Sequence, residues 1–300
     1  MSDLSYLAFE VNVLSRIEFN SLAMPFSSRP ELGLALKRRG KRVTANHFLR
    51  SAWNQNLAFI QNNTERLSEN DVNAVLEDAY VPGHQLKNST LRNWFGETDS
   101  WWFENVRRNI DRLGSSYLFS IAASIAMQVG DYVMSFDDRT RELRQPLSSV
   151  YKRLWEILPS PINNSQNNSC MNKSANEFLA ETFADLLFLR IPPCNSEMSR
   201  SERWREEWLR GGNGFWDDVN ASQSGKLGST TQTRSQLLRS LEETLSIGSN
   251  IKHWAVAHSE GGMVTTQDIV DVVNKLRRVD KIYSKDFSEL AGVKAAIITA

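Results

Sequence analysis

Three hundred residues with 35 basic and 35 acidic side chains carry no formal net charge, so no global field draws the chain to nucleic acid or an anionic membrane. Any such contact must come from a local patch. A hydrophobic share of 41% suffices for one large core or two modest ones and excludes a disordered or fibrous chain. Cys170 and Cys194 are the only cysteines and lack ligand spacing, which argues against a disulfide framework or a zinc site and leaves a cytoplasmic, metal-free protein as the expectation.

The first nine residues lack the basic start and apolar stretch of a secretion signal. Residues 31–39 have Leu32, Leu34, Ala35 and Leu36 on helical spacing, with Pro30 before them and Gly40 after a cationic end, and predict a helix. Residues 41–45 turn to a short strand centred on Val43, and 51–62 resume helical spacing. From 64 to 159 the spacing is helical almost throughout. The most apolar stretch, 117–129, is shorter than a membrane span and reads as a buried helix, so no membrane is expected as a partner.

Residues 160–176, rich in Asn and Ser, read as a solvated loop. The apolar run 185–191 predicts a strand covered on both faces that stops at a rigid Pro-Pro turn. A polar excursion follows over 200–228, with Trp204, Trp208 and Trp216 and several glycines, and then a helix over 232–245. The last quarter predicts a strand over 251–257, a Glu260-Gly261-Gly262 turn, a helix over 266–278, and a hairpin of 279–284 against 293–299. Strands alternating with helices predict an α/β fold with helices on both faces of the sheet and a C-terminal antiparallel hairpin. The expected division is an α/β core of residues 1–64 and 170–300 around a helical insertion of residues 65–169.

Four segments resemble adenine-specific DNA methyltransferases. Ala-Met-Pro-Phe-Ser-Ser-Arg-Pro at 23–30, with the helix after it, is similar to that family's Asp-Pro-Phe-x-Gly-x-Gly cofactor loop; Val-Thr-Ala-Asn-His at 43–47 resembles a strand ending in Ala-Asn-Asp. Ile-Pro-Pro-Cys at 191–194 resembles the catalytic Asp-Pro-Pro-Tyr, and 253–273 resembles a late strand, Gly-Gly turn and helix. The resemblance implies a Rossmann-like class I sheet, S-adenosylmethionine at Met24, Pro25, Phe26, Ser28, Pro30, Asn46 and His47, and chemistry at Ile191, Pro192, Pro193 and Cys194.

The chain departs from the family where the chemistry lies. Met24 stands at the acidic position of the loop, Ser28 and Pro30 stand at its glycines, and His47 replaces the acid that would accept from ribose hydroxyls. Ile191 and Cys194 replace the acid that would accept from the exocyclic amine and the ring that would stack on the flipped base. Losing one preorganised polar group costs about a hundredfold in rate or more, and losing an aromatic platform forfeits about 1–3 kcal/mol of stacking. Asp185, six residues before Ile191, lies about 20 Å too far along an extended chain to stand in.

The expectation is therefore a degenerate methyltransferase-like protein that binds no cofactor and acts as a non-enzymatic component, with DNA or a protein such as an active methyltransferase as partner, in a restriction-modification or defence setting. The alternative is an active adenine-specific DNA methyltransferase using S-adenosylmethionine, its target base flipped toward Cys194 and its amine oriented by carbonyls near Ile191. Arg139, Arg141, Arg144, Lys152 and Arg153 are the expected DNA contacts. The denser run Lys37-Arg38-Arg39 with Lys41-Arg42 reads as a solvated helix end, Glu31 as a first-turn acid, the Trp94, Trp101 and Trp102 group as core, and His84, His253 and His258 as structural.

Overall fold

The computed structural model describes residues 4–137, 139–193, 198–229, 233–260 and 262–300. In chain order, α1 (Leu4–Leu14), β1 (Ser21–Met24), α2 (Glu31–Arg38) and β2 (Arg42–Asn46) come first. Helix α3 (Arg50–Asn56) runs on as a π-helical turn, Leu57–Gln61, and is followed by α4 (Glu69–Leu76), α5 (Glu97–Ile110), α6 (Ser116–Met134) and α7 (Leu147–Glu156). Then come β3 (Ser169–Met171), α8 (Ala175–Glu181), β4 (Leu186–Arg190), α9 (Arg200–Arg210), α10 (Trp216–Gln223) and α11 (Arg234–Ile247). The chain closes with β5 (His253–Ser259), α12 (Thr266–Leu276), β6 (Lys281–Phe287), α13 (Ser288–Ala291) and β7 (Val293–Thr299).

One compact unit comprises residues 1–48, 164–197 and 217–300. Its seven strands form one Rossmann-like mixed sheet in the order β3-β2-β1-β4-β5-β7-β6. The first five run parallel, and β7 lies antiparallel between β5 and β6. Both alternate sets in β4, Leu186 with Phe188 and Leu187 with Leu189, are buried, so both faces of the sheet are covered. On one face Leu187, Leu189, Trp254, Val256 and Ile298 share a core with Phe178 of α8, Leu237, Leu241 and Leu245 of α11, and Ile269 and Val273 of α12. Helix α1 packs against α2, β6 and β7.

The second unit, residues 49–163 and 198–216, is helical. Its core gathers Trp102 and Phe103 of α5, Ile121, Ile125 and Val129 of α6, Tyr151 of α7, and Trp204 and Trp208 of α9. Gly130 lets α6 approach α9, since a Cβ there would lie 2.2 Å from Trp204 Cη2. Glu206 is buried and accepts from the backbone N–H groups of Arg50 (2.9 Å) and Ser51 (2.8 Å), capping the start of α3, which carries no side-chain cap of its own. Helix α6 is long and apolar enough to cross a membrane by length and composition, yet most of it is buried inside this unit.

Several expectations shift. The helical unit begins at residue 49 rather than 65, because α3 and its π-helical turn pack on α6 and α9, and residues 198–216 join it because Trp204 and Trp208 complete its aromatic core. Residues 160–176 are not merely a loop: they hold β3 and the start of α8. Their asparagines serve the backbone, Asn168 accepting from Val43 N–H at 2.9 Å and Asn164 donating to the carbonyls of Lys37 and Lys41. The basic run 37–42 is not uniformly solvated. Lys37 is fully buried, and burial lowers its pKa to about 8, with Cys170 opposing; the Arg42 guanidinium donates to Phe183 O at 2.9 Å.

Candidate functional site

Because β3, β2, β1, β4 and β5 are parallel, their carboxyl ends share one edge of the sheet, and strand order reverses between β1 and β4. That is where open α/β sheets bind ligands. The fold brings three of the singled-out segments to this edge: 24–30 after β1, Asn46 and His47 at the end of β2, and Ile191, Pro192 and Pro193 after β4. Cys194 lies outside the described residues, as does Gly261 of the late turn.

The loop after β1 turns inward. Met24, Pro25, Phe26, Ser27 and Pro30 are buried, Ser28 is half-buried and Arg29 is exposed. Ser27 N–H donates to Asn46 O at 2.8 Å, tying the loop to the end of β2. Asn46 spends its whole side chain on the backbone: Nδ2 donates to Pro25 O and Lys173 O, both at 3.0 Å, and Oδ1 accepts from Lys173 N–H at 3.0 Å. Three loops are thereby joined by one buried amide. His47 is buried and stacks on Phe48 with ring centroids 4.9 Å apart; its own carbonyl accepts from Asn172 Nδ2 at 2.8 Å.

Residues 227–228 complete the packing. Leu227 is buried in the sheet core, and Gly228, at φ +92°, lies so close that a Cβ would sit 3.2 Å from Phe26 Cε1 and 3.5 Å from Pro192 Cγ. The loop after β1 and the Pro-Pro turn therefore meet across a glycine. On the other side of β4, Arg190 pairs with Glu10 of α1. His258, near the end of β5, is buried; Nε2 has no hydrogen-bond partner among the described residues, and burial lowers its pKa against the raising influence of Glu260 and Asp268.

Asp185 sits at the opposite edge, as strand geometry required. Its Oδ2 accepts from the backbone N–H groups of Asn20 (2.8 Å) and Ser21 (2.9 Å), and the Asn20 bond foremost holds its pKa low. Glu31 is exposed in the first turn of α2. The edge thus combines apolar packing, satisfied amides and two buried imidazoles, His47 and His258, a set suited to holding loops together. Among the described residues β1, β2 and β4 end without a carboxylate side chain of their own, and the Glu10 carboxylate beside Arg190 is held in its ion pair.

The five basic residues expected to contact DNA are divided. Arg139, Arg141, Lys152 and Arg153 are exposed, whereas Arg144 is half-buried in an ion pair with Asp99 at 2.8 Å. Gln145 accepts from Arg153 Nη1 at 2.9 Å, so the loop and α7 are linked. Trp101 and Trp102 are buried; Trp94 is half-buried, with its indole N–H on Glu207 at 2.7 Å. Sequence reading did not single out Glu10, Gly228 or Lys173, because their roles depend on long-range contacts. The glycine cluster at 225–228 was the one available signal. Comparison of the sequence with protein-family models and with curated proteins gives no match.

Proposed function

We propose that this chain is a catalytically degenerate DNA adenine methyltransferase-like protein that acts as a non-enzymatic binding component, with DNA as the partner the helical unit takes. The observation that carries this reading is convergence: the altered segments meet at one sheet edge, and that edge is packed with Met24, Phe26, His47 and Gly228.

S-adenosylmethionine needs glycine where backbone approaches it and an acid for its ribose hydroxyls. The residues here do not fit it. The loop between β1 and α2 has no glycine, the Phe26 ring lies against Gly228, Asn46 is fully committed to the backbone, and the position after it is a buried histidine. The parallel sheet with its C-terminal antiparallel pair supports the class I likeness. The exposed Arg139, Arg141, Lys152 and Arg153 support DNA as a partner; an active methyltransferase as a protein partner is the variant of the same reading.

Incubation of the full chain with labelled S-adenosylmethionine and adenine-containing DNA tests the reading. No methyl incorporation above a protein-free control is expected, and catalytic incorporation would return the chain to the active enzymes.

A further inference from the structure

We propose that the helical unit carries a second nucleic-acid site, one that seats single-stranded polynucleotide across α9 and the adjoining cleft between α5 and the segment before it. The site lies apart in sequence from the Arg139–Arg153 group and does not depend on the methyltransferase likeness.

The cleft has a volume of about 200 Å³, with Trp208 and Leu91 among its walls. Its lining carries four cations, Lys87, Arg107, Arg108 and Arg210, against two carboxylates. Both carboxylates are engaged: Glu104 accepts from Asn88 N–H at 3.1 Å, and Asp111 forms an ion pair with Arg107. That pair lacks hydrogen-bond geometry, and the buried Arg107 Nε has no acceptor among the described residues. Lys87 and Arg108 are exposed and have no ion-pair partner among the described residues. Arg107 is paired with Asp111 and Arg210 with Glu206, so the charge left to the cleft is that of Lys87 and Arg108; with the small volume it suits a single phosphodiester group rather than a drug-sized ligand.

Helix α9 extends the same chemistry. Arg200, Arg203, Glu207 and Arg210 fall on one stripe at helical spacing, about 15 Å from end to end. Glu207 is buried under two indoles, accepting from Trp94 Nε1 at 2.7 Å and Trp216 Nε1 at 2.9 Å. One carboxylate thus fixes both rings; Arg210 is paired with Glu206 at 2.6 Å, while Arg200 and Arg203 have no ion-pair partner among the described residues. Arg203 lies over Trp216 (5.7 Å), Arg210 over Phe215 (4.5 Å), and Phe215 packs on Trp216 with centroids 4.6 Å apart. Arg210 belongs to both the cleft and the aromatic platform, making them one surface.

Rigid, half-buried aromatic rings beside arginines and a phosphate-sized basic cleft form the pattern that binds unpaired bases with their backbone. Duplex bases are already stacked on each other and cannot reach the Phe215 and Trp216 rings.

Fluorescence anisotropy with labelled single-stranded DNA, single-stranded RNA and the matching DNA duplex, over a salt series on the full chain, tests this. Either single strand should bind more tightly than the duplex, and comparison of the two identifies the sugar preferred. Lys87→Gln with Arg108→Gln, two exposed positions, should weaken single-strand binding about tenfold and reduce the salt slope by about 1.4, at about 0.7 per lost contact. Phe215→Ala should weaken it about tenfold with the slope unchanged.

The inference is overturned if the duplex binds as well as the strand, or if both variants, verified as folded by circular dichroism, bind like the wild type. If Arg139→Gln with Arg141→Gln alone abolishes binding, this site falls while the DNA reading above stands; if no nucleic acid binds at low salt, both fall.

Discussion

Arg190 of β4 grips Glu10 of α1 through both carboxylate oxygens, Nε and Nη2 donating to Oε1 at 3.0 and 2.7 Å and Nη2 to Oε2 at 2.7 Å. The Glu10 side chain is 4% exposed and that of Arg190 34%. A cation inside an otherwise apolar strand is thus neutralised by a helix far away in sequence, one residue before the turn that begins at Ile191.

Glu10→Ala should destabilise the sheet unit by about 2 kcal/mol, less than the roughly 3–5 kcal/mol of a fully buried broken pair because the Arg190 side chain still reaches solvent. Adding Arg190→Leu should recover part of that loss. Urea denaturation of the three variants checks both signs.

Asn46→Ala removes three hydrogen bonds that join the loops at Pro25 and Lys173 to the end of β2. A loss of about 2–3 kcal/mol is expected, since buried backbone groups are left unpaired. Hydrogen exchange should show the extra opening at residues 25–30 and 172–174, with the helical unit unchanged.

Gly130→Ala would drive a methyl group into the Trp204 ring, where the nearest atoms lie 2.2 and 2.3 Å away. Overpacking in this aromatic core should cost about 3 kcal/mol. Thermal unfolding of the variant should show the loss, and Trp204→Leu in the same chain should relieve part of it.

His258 makes stability depend on pH. Burial depresses its pKa, so the folded chain holds the imidazole neutral while the unfolded chain takes up a proton near its ordinary value of 6.5. The unfolded state therefore binds more protons in the window just below 6.5, and stability, fully present above it, declines as pH falls through the folded pKa. Glu260 and Asp268 act in the opposite sense and limit the shift. Denaturation midpoints from pH 7.5 down to pH 5 should decline less steeply in His258→Leu than in the wild type.

Sequence patterning anticipated the elements with long or periodic signals. Helices α2 and α12, the strand at 185–191 and the terminal pair β6 and β7 fall close to their expected positions, because each is capped, bounded by turn residues or continuously apolar. Strands β1 and β3, of four and three residues, were not legible: neither is long enough for a period to register, and both owe their place to parallel neighbours. Helix α1 likewise gave no usable signal. At the candidate site, the coincidence of Met24, Asn46, His47 and Ile191 at one edge followed from local resemblance. The contact of Gly228 with Phe26 and the Glu10–Arg190 pair did not, since they join residues far apart in the sequence, the latter 180 positions.

The central claim is that the edge bounded by Met24, Phe26, Asn46, His47 and Gly228 has lost its cofactor site. Calorimetric titration of the full chain with S-adenosylmethionine tests it most directly. The account predicts no heat of binding even at millimolar ligand; saturable binding with a micromolar dissociation constant would contradict it.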